Sequence, residues 1–146
     1  MRRTEPAPAI TREAQMELEA RRRVLADKEN WLLATEVSDM AGFSPINRRA
    51  QPNNWKRKRF IFSITHLGKD YFPAFGLDPA KQYRPLASLA PILAILYSKK
   101  DDWGIAYWFA SANSFLGGER PQDMLAKYPE RVLAAAKTNI VGVVHG

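Results

Sequence analysis

Six cations, Arg48, Arg49, Lys56, Arg57, Lys58 and Arg59, fall within "INRRAQPNNWKRKRF" at residues 46–60, and no acidic residue lies among them. Cations packed this closely without counter-charge favour a polyanionic partner, and nucleic-acid phosphates are a natural complement. The same stretch supplies Asn47, Gln51, Asn53 and Asn54, whose amides can reach phosphate oxygens or base edges. The expected DNA contacts are Asn47, Arg48, Arg49, Gln51, Lys56, Arg57, Lys58 and Arg59, the cations mostly to phosphates. A solvated basic surface, or a docking face for an acidic protein, would use the same charges.

Other chemistry is sparse. His66 and His145 are the only histidines, and neither has a helical partner at ligand spacing, so no zinc site and no histidine-dependent triad is expected. "LGGERP" lacks both the Lys-Ser/Thr of a phosphate loop and the spacing of a dinucleotide fingerprint, and reads as a turn. Asp101 and Asp102 are adjacent carboxylates at a helix start, where the macrodipole favours negative charge without any catalytic role. Trp103, Tyr107, Trp108 and Phe109 interleave with Ile105 and Ala106, the pattern of a core helix. No catalytic residue, metal or cofactor is expected, and the chain reads as a binding protein, not an enzyme.

Composition agrees. The 146 residues suit one compact domain or two small ones sharing a core, and a 46% hydrophobic content is enough to pack an interior. The net charge of +7 is uneven: residues 1–60 carry +5 of it and the remainder +2. The absence of cysteine suits a reducing compartment. "MRRTEPAPAI" is not followed by the apolar core of a signal peptide, and no run of about 18 apolar residues occurs. The expectation is a cytoplasmic protein with no membrane partner.

Elements must hold the basic stretch in place. After a flexible "EPAP" lead, residues 11–30 are rich in Ala, Leu, Glu and Arg, with Thr11 as N-cap. Leu18 and Leu25 give only a thin apolar stripe, so the spacing predicts a surface or arm helix. Leu33, Val37, Met40 and Ala41 then recur at helical spacing, with Thr35 placed to cap and Gly42 to terminate. Ser44 and Pro45 predict the start of a second helix, with Ile46 and Ala50 inward and Arg48 outward, cut short at Pro52. "RFIFSI" and "DYFPAF" flank "THLGKD" as a hairpin whose second strand, holding Pro73, should be an edge. Helix, turn, helix and hairpin is the grammar of a winged helix-turn-helix. Beyond residue 80 the chain reads as helices: a central one at 86–97, an aromatic one after Asp101, and two opened by Pro121 and Pro129, the last running to about 140.

The segment "WGIAYWFASANSFLGGERPQDMLAKYPERVLAAAKTNI" resembles the toxin-binding domain of the antitoxin Xre/MbcA/ParS family. The shared pattern is a Trp-rich helix, an "N..LGG.RP.DML" turn-helix and a last helix with Val and Ala on its face. It falls on Trp103, Trp108, Phe109, Asn113, Leu116, Gly117, Gly118, Arg120, Pro121, Asp123, Met124 and Leu125. Upstream, "LLATEVSDMAGFS" and "GKDYFPAFGLD" look like a subgroup with a compact DNA-binding-like front, which departs from the family's usual multi-helix repressor domain. The resemblance implies an antitoxin whose last helix and "VGVVHG" tail cover a toxin, often a RES-domain enzyme that consumes NAD. Arg120, Arg131, Lys137, Asn139 and His145 are the toxin-binding residues it implies.

The expected fold is mainly α with one small β-hairpin. Residues 1–30 form a lead and arm helix, 31–80 a helix-turn-helix with a wing, and 81–146 a helical toxin-binding domain. The expected function is that of an antitoxin that binds its cognate toxin and, as a homodimer, double-stranded operator DNA. A stand-alone DNA-binding regulator and a protein-interaction module are the alternatives.

Overall fold

The computed structural model describes the backbone of residues 11–145 and, apart from Glu13, Met16, Ala20 and residues 141–145, their side chains. The "EPAP" lead lies outside the described residues. The protein is mostly helical, with seven α-helices and two small antiparallel sheets among the described residues.

Helix α1 (Arg12–Ala26) starts where Thr11 Oγ1 accepts the Ala14 N–H at 3.1 Å. The expectation of an arm is corrected here, because α1 packs along α5 (Asp102–Ala110). Val24 is fully buried, and the guanidinium groups of Arg21 and Arg23 lie 5.1 and 5.5 Å from the Trp103 and Tyr107 ring centres. Cation–aromatic contacts and aliphatic stems thus cover what a wider apolar stripe would otherwise cover.

Strand β1 (Trp31–Leu33) precedes α2 (Ala34–Ala41), and the Glu36 carboxylate accepts the Leu33 N–H at 2.9 Å. Thr35, the expected cap, lies inside the helix instead. Gly42, at φ 75°, ends α2 as expected: its N–H donates to the Asp39 carbonyl and that of Phe43 to the Ser38 carbonyl, a Schellman closure.

The second helix differs from its expected form. Residues 45–49 are bend and turn, and α3 (Ala50–Arg57) begins later and runs through Pro52. Pro52 occupies the first helical turn, where an N–H has no intrahelical acceptor, so it costs the helix no bond. Pro52 and Trp55 face the core, whereas Ile46, expected inside, is 84% exposed, and Ala50 is exposed as well. Lys58 and Arg59 close α3 as Gly42 closes α2: the Arg59 N–H donates to Lys56 and the Phe60 N–H to Trp55, with Arg59 left-handed at φ 59°.

Strands β2 (Ile64–His66) and β3 (Lys69–Pro73) form the hairpin, joined by Leu67 and Gly68 at φ 50° and 76°. Positive φ at both loop residues is the twist-matched two-residue turn. Its first strand is shorter than "RFIFSI" suggests, because Ile61, Phe62, Ser63 and Ile64 are all buried instead of alternating. Nor is β3 an edge. The sheet order is β1-β3-β2, and Pro73 is tolerated as the last residue of the central strand, opposite Trp31. A second pair, β4 (Leu77–Asp78) with β5 (Arg84–Pro85), leads into the helical half.

Helix α4 (Leu89–Leu96) buries Leu89, Ile92, Leu93 and Leu96 completely and packs on the final helix. Asp101 caps α5 by accepting the Gly104 N–H at 2.8 Å. Asn113 and the left-handed Gly117 and Gly118 then fold the chain back, the Gly118 N–H donating to the Asn113 carbonyl. Pro121 and Pro129 open α6 (Pro121–Met124) and α7 (Pro129–His145). Helix α7 reaches His145, so "VGVVH", expected as a tail, continues the helix. One core spans front and rear: Trp31 meets Phe62 at 5.8 Å, and Phe62 stacks on Phe109 of α5 at 5.8 Å.

Candidate nucleic-acid interface

The packing of Pro52 and Trp55 determines which side of α3 faces water. Residues three and four apart share a helix face, so burying 52 and 55 turns Asn53 and Arg57 outward, and Arg49 stands just before the first turn. Arg49, Asn53 and Arg57 are exposed. Two grooves flank them. A cavity of about 460 Å³ is lined by Leu33, Thr35, Arg49, Asn53, Gly68 and Lys69, and also by Asp70. Another of about 540 Å³ is lined by Asn53, Lys56, Arg57, Arg59, Asp70, Tyr97 and Asp102. Asn53 and Asp70 border both, which places Asn53 at the centre of a basic strip between α3 and the hairpin turn.

The eight expected contacts are not equivalent. Arg49, Arg57 and Lys58 are exposed and form no ion pair among the described residues. Gln51 is exposed on α3, and Asn47 is exposed in the preceding turn at φ 64°. Arg48 differs: its guanidinium pairs with Asp39 of α2 and donates to the Thr35 carbonyl at 3.4 Å, while its own carbonyl accepts from Ser38. It fastens the α2–α3 turn, and its charge is compensated, contrary to the outward placement expected. Lys56 is half-buried and lies 3.6 Å from Asp70, whose other oxygen accepts the Thr65 hydroxyl at 2.6 Å. That ion pair holds the hairpin beside α3.

Arg59 stacks 4.2 Å above the Tyr97 ring, whose hydroxyl donates to Asp102. Burial, and next the hydrogen bond to Asp102, hold the Tyr97 phenol above its ordinary ionisation range. The two adjacent aspartates are therefore both engaged structurally, Asp101 as a cap and Asp102 on Tyr97. Lys69 and Asn53 belong to the strip but are not among the eight contacts expected from the sequence. The two-residue turn at Leu67–Gly68 is the signal that places Lys69 beside the hairpin apex.

The rear residues are scattered. Arg120 hydrogen-bonds Asp123 at 2.8 Å and lies 3.8 Å from Asp27, and the Asp123 bond raises its pKa further. Gln122 donates to the same Asp27 carboxylate, so this group ties the α6 start to the end of α1. Arg131 is exposed and lies over Tyr128 at 5.7 Å. Lys137 and Asn139 are two residues apart on α7 and so point to nearly opposite sides: Lys137 is exposed, while Asn139 is partly buried in a groove against α5. The His145 side chain lies outside the described residues.

Among the described residues, no three His, Cys, Asp or Glu side chains are grouped to hold a metal ion, and no helix is long and apolar enough to cross a membrane. No family model matches the chain, and no match is found among the curated proteins or the solved structures.

Proposed function

We propose that the protein binds double-stranded DNA with α3 and the β2–β3 hairpin, in the manner of a winged helix-turn-helix. The observation that carries this reading is the order α1-β1-α2-α3-β2-β3 combined with the sheet order β1-β3-β2. In a winged helix the first strand completes the sheet of the hairpin, and the second helix of the helix-turn-helix stands free for the major groove. Here that helix carries Asn53 and Arg57, with Arg49 just before its first turn and Lys69 at the start of β3, and neither arginine has an ion pair among the described residues. Arg49, Arg57, Lys58 and Lys69 suit phosphates; Asn53 and Gln51 suit base edges.

The resemblance of the rear segment to the antitoxin toxin-binding domain supports a second half to the reading: regulation of an operon together with neutralisation of a toxin. The buried Leu116, Met124 and Leu125 and the left-handed Gly117 and Gly118 support that part of the pattern as a structural unit. Fluorescence anisotropy of a labelled duplex at about 50 and 200 mM salt tests the DNA-binding reading. Four phosphate contacts per protein chain predict an affinity loss of roughly 10²-fold between those salts. No binding at the lower salt would reject it. Co-expression with the product of the adjacent gene tests the antitoxin part: a stable complex that relieves growth arrest is expected, and neither complex nor toxicity would leave a stand-alone regulator.

A further inference from the structure

Among the described residues, Asn47, Arg59, Leu67, Gln82 and Tyr83 take a left-handed backbone without being glycine. That conformation crowds the Cβ against the following carbonyl, and asparagine is one of the few side chains that tolerate it. Arg59 stacks on Tyr97, Tyr83 packs against the core and donates its N–H to the Asp78 carbonyl, and the Gln82 carbonyl accepts from Arg84 at 2.8 Å. Leu67, at φ 50°, is 86% exposed at the apex of the β2–β3 hairpin, so packing offsets little of its cost. A lone exposed leucine needs no explanation, but one at the first position of a two-residue turn that ordinarily takes Asn, Asp or Gly does. Ile46, at 84%, is the next most exposed large apolar residue, and both adjoin α3. Ile46 lies in the turn before that helix, and the hairpin's Gly68 and Lys69 line the same groove as Arg49 and Asn53.

We infer that Leu67 is a wedge: with α3 in the major groove, the hairpin tip enters the adjoining minor groove, and the Leu67 side chain inserts between two base pairs and bends the duplex. The inference rests on the DNA-binding reading and goes beyond it, since that reading requires no deformation of the DNA. A leucine side chain neither donates nor accepts a hydrogen bond, so it cannot serve a phosphate or a base edge. On DNA it gains only by leaving water, and partly unstacked base steps are where apolar side chains, leucine included, do so. The charges around the tip are compatible with this. Lys69 opens β3 two residues on, and the only acid of the hairpin, Asp70, is paired with Lys56 and accepts the Thr65 hydroxyl. Lys69 is then placed for the phosphates that flank the opened step.

A duplex enriched from a random-sequence pool on the full-length protein, placed at different positions along fragments of constant length, tests the wedge by gel electrophoresis. Mobility that varies with position, corresponding to a bend of about 20–90°, is expected for the wild type. Leu67→Asn should lose most of the bend and bind about tenfold more weakly, yet keep the log K against log salt slope, because no phosphate contact is removed. Leu67→Met should keep the bend. The uncomplexed Leu67→Asn protein should melt at the same temperature or higher, since asparagine suits both the left-handed backbone and water. A straight wild-type complex, an equal bend for Leu67→Asn, a reduced salt slope for it, or loss of the bend in Leu67→Met would overturn the wedge and leave the DNA-binding reading standing. A lower melting temperature for Leu67→Asn would overturn it by showing that the leucine holds the fold, and self-association abolished by Leu67→Asn would assign the tip to a second copy. Failure to enrich any duplex would reject the wedge and the DNA-binding reading together.

Discussion

Arg49, just before α3, and Arg57, at its end, are exposed beside Asn53, whereas Arg120, just before α6, is held between Asp123 and Asp27. All three arginines stand at the ends of short helices, yet among the described residues only Arg120 is already paired with carboxylates. The difference is local geometry: α3 turns Pro52 and Trp55 inward and has no acid in its own first turn, while α6 places Asp123 three residues after Arg120. Within the front half the same distinction separates Arg48, spent on Asp39, from its neighbour Arg49. Pairing, not charge count, separates Arg49 and Arg57 from Arg120 and Arg48.

The two regions nevertheless share a core, and the seam is the place to disturb both at once. A Cβ on Gly76 would sit 2.9 Å from Leu89 Cδ2, and Leu89 is fully buried with little room to move. Gly76→Ala is expected to destabilise the protein by about 1–3 kcal/mol. Denaturation followed at front and rear should still give a single transition; two separate transitions would show that the halves fold independently.

Arg48 and Arg49 sharpen the distinction between spent and available charge. Arg48→Ala should cost about 0.5–1 kcal/mol of stability by releasing the α2–α3 turn, and should barely change the salt dependence of DNA binding. Arg49→Ala should reverse the pattern, near-neutral in stability and lowering the log K against log salt slope by about 0.9. Melting curves and anisotropy titrations of the two variants, compared side by side, decide it.

Tyr97 supplies a pH test of the boundary between strip and core. Its phenol is held protonated by burial and Asp102, so its folded pKa lies above the unfolded one. The stabilisation is complete below about pH 10 and declines as pH rises above it, because the unfolded phenol then ionises first. Tyr97→Phe should flatten that alkaline decline in urea midpoints; an unchanged pH profile would mean that Tyr97 is not held this way.

The smallest effect is expected at the end of α3. Arg59→Gly relieves a left-handed non-glycine residue, about 1 kcal/mol, and removes a cation–aromatic interaction of about 0.5–1 kcal/mol. The net change in stability should lie near zero, with DNA affinity reduced if the cation reaches phosphate.

Much of the helical framework is legible in the sequence because its signals are local. Thr11, Gly42, Asp101, Gly117, Pro121 and Pro129 each act within a few residues of themselves, and each stands where its chemistry places it. Strand β1 is not legible: three residues of "WLL" show no alternation and become a strand only by pairing with residues 71–73. Pro52 reads as a breaker because its position relative to a helix start cannot be known until that start is fixed. The candidate strip is visible as a run of cations, but Arg48's partner lies nine residues upstream on the previous helix, and that of Lys56 lies across the hairpin. The groove with Trp108 and Asn139 joins two helices thirty residues apart, a relation that no spacing rule contains.

The central claim is tested most directly by the salt dependence of duplex binding for two triple variants, Arg49→Ala/Arg57→Ala/Lys58→Ala and Arg120→Ala/Arg131→Ala/Lys137→Ala. The first should lower the slope by about 0.9 for each phosphate-bound cation removed, and the second should leave it at the wild-type value. Equal slopes for both, or a reduction confined to the rear variant, would contradict the assignment of DNA binding to α3 and the hairpin.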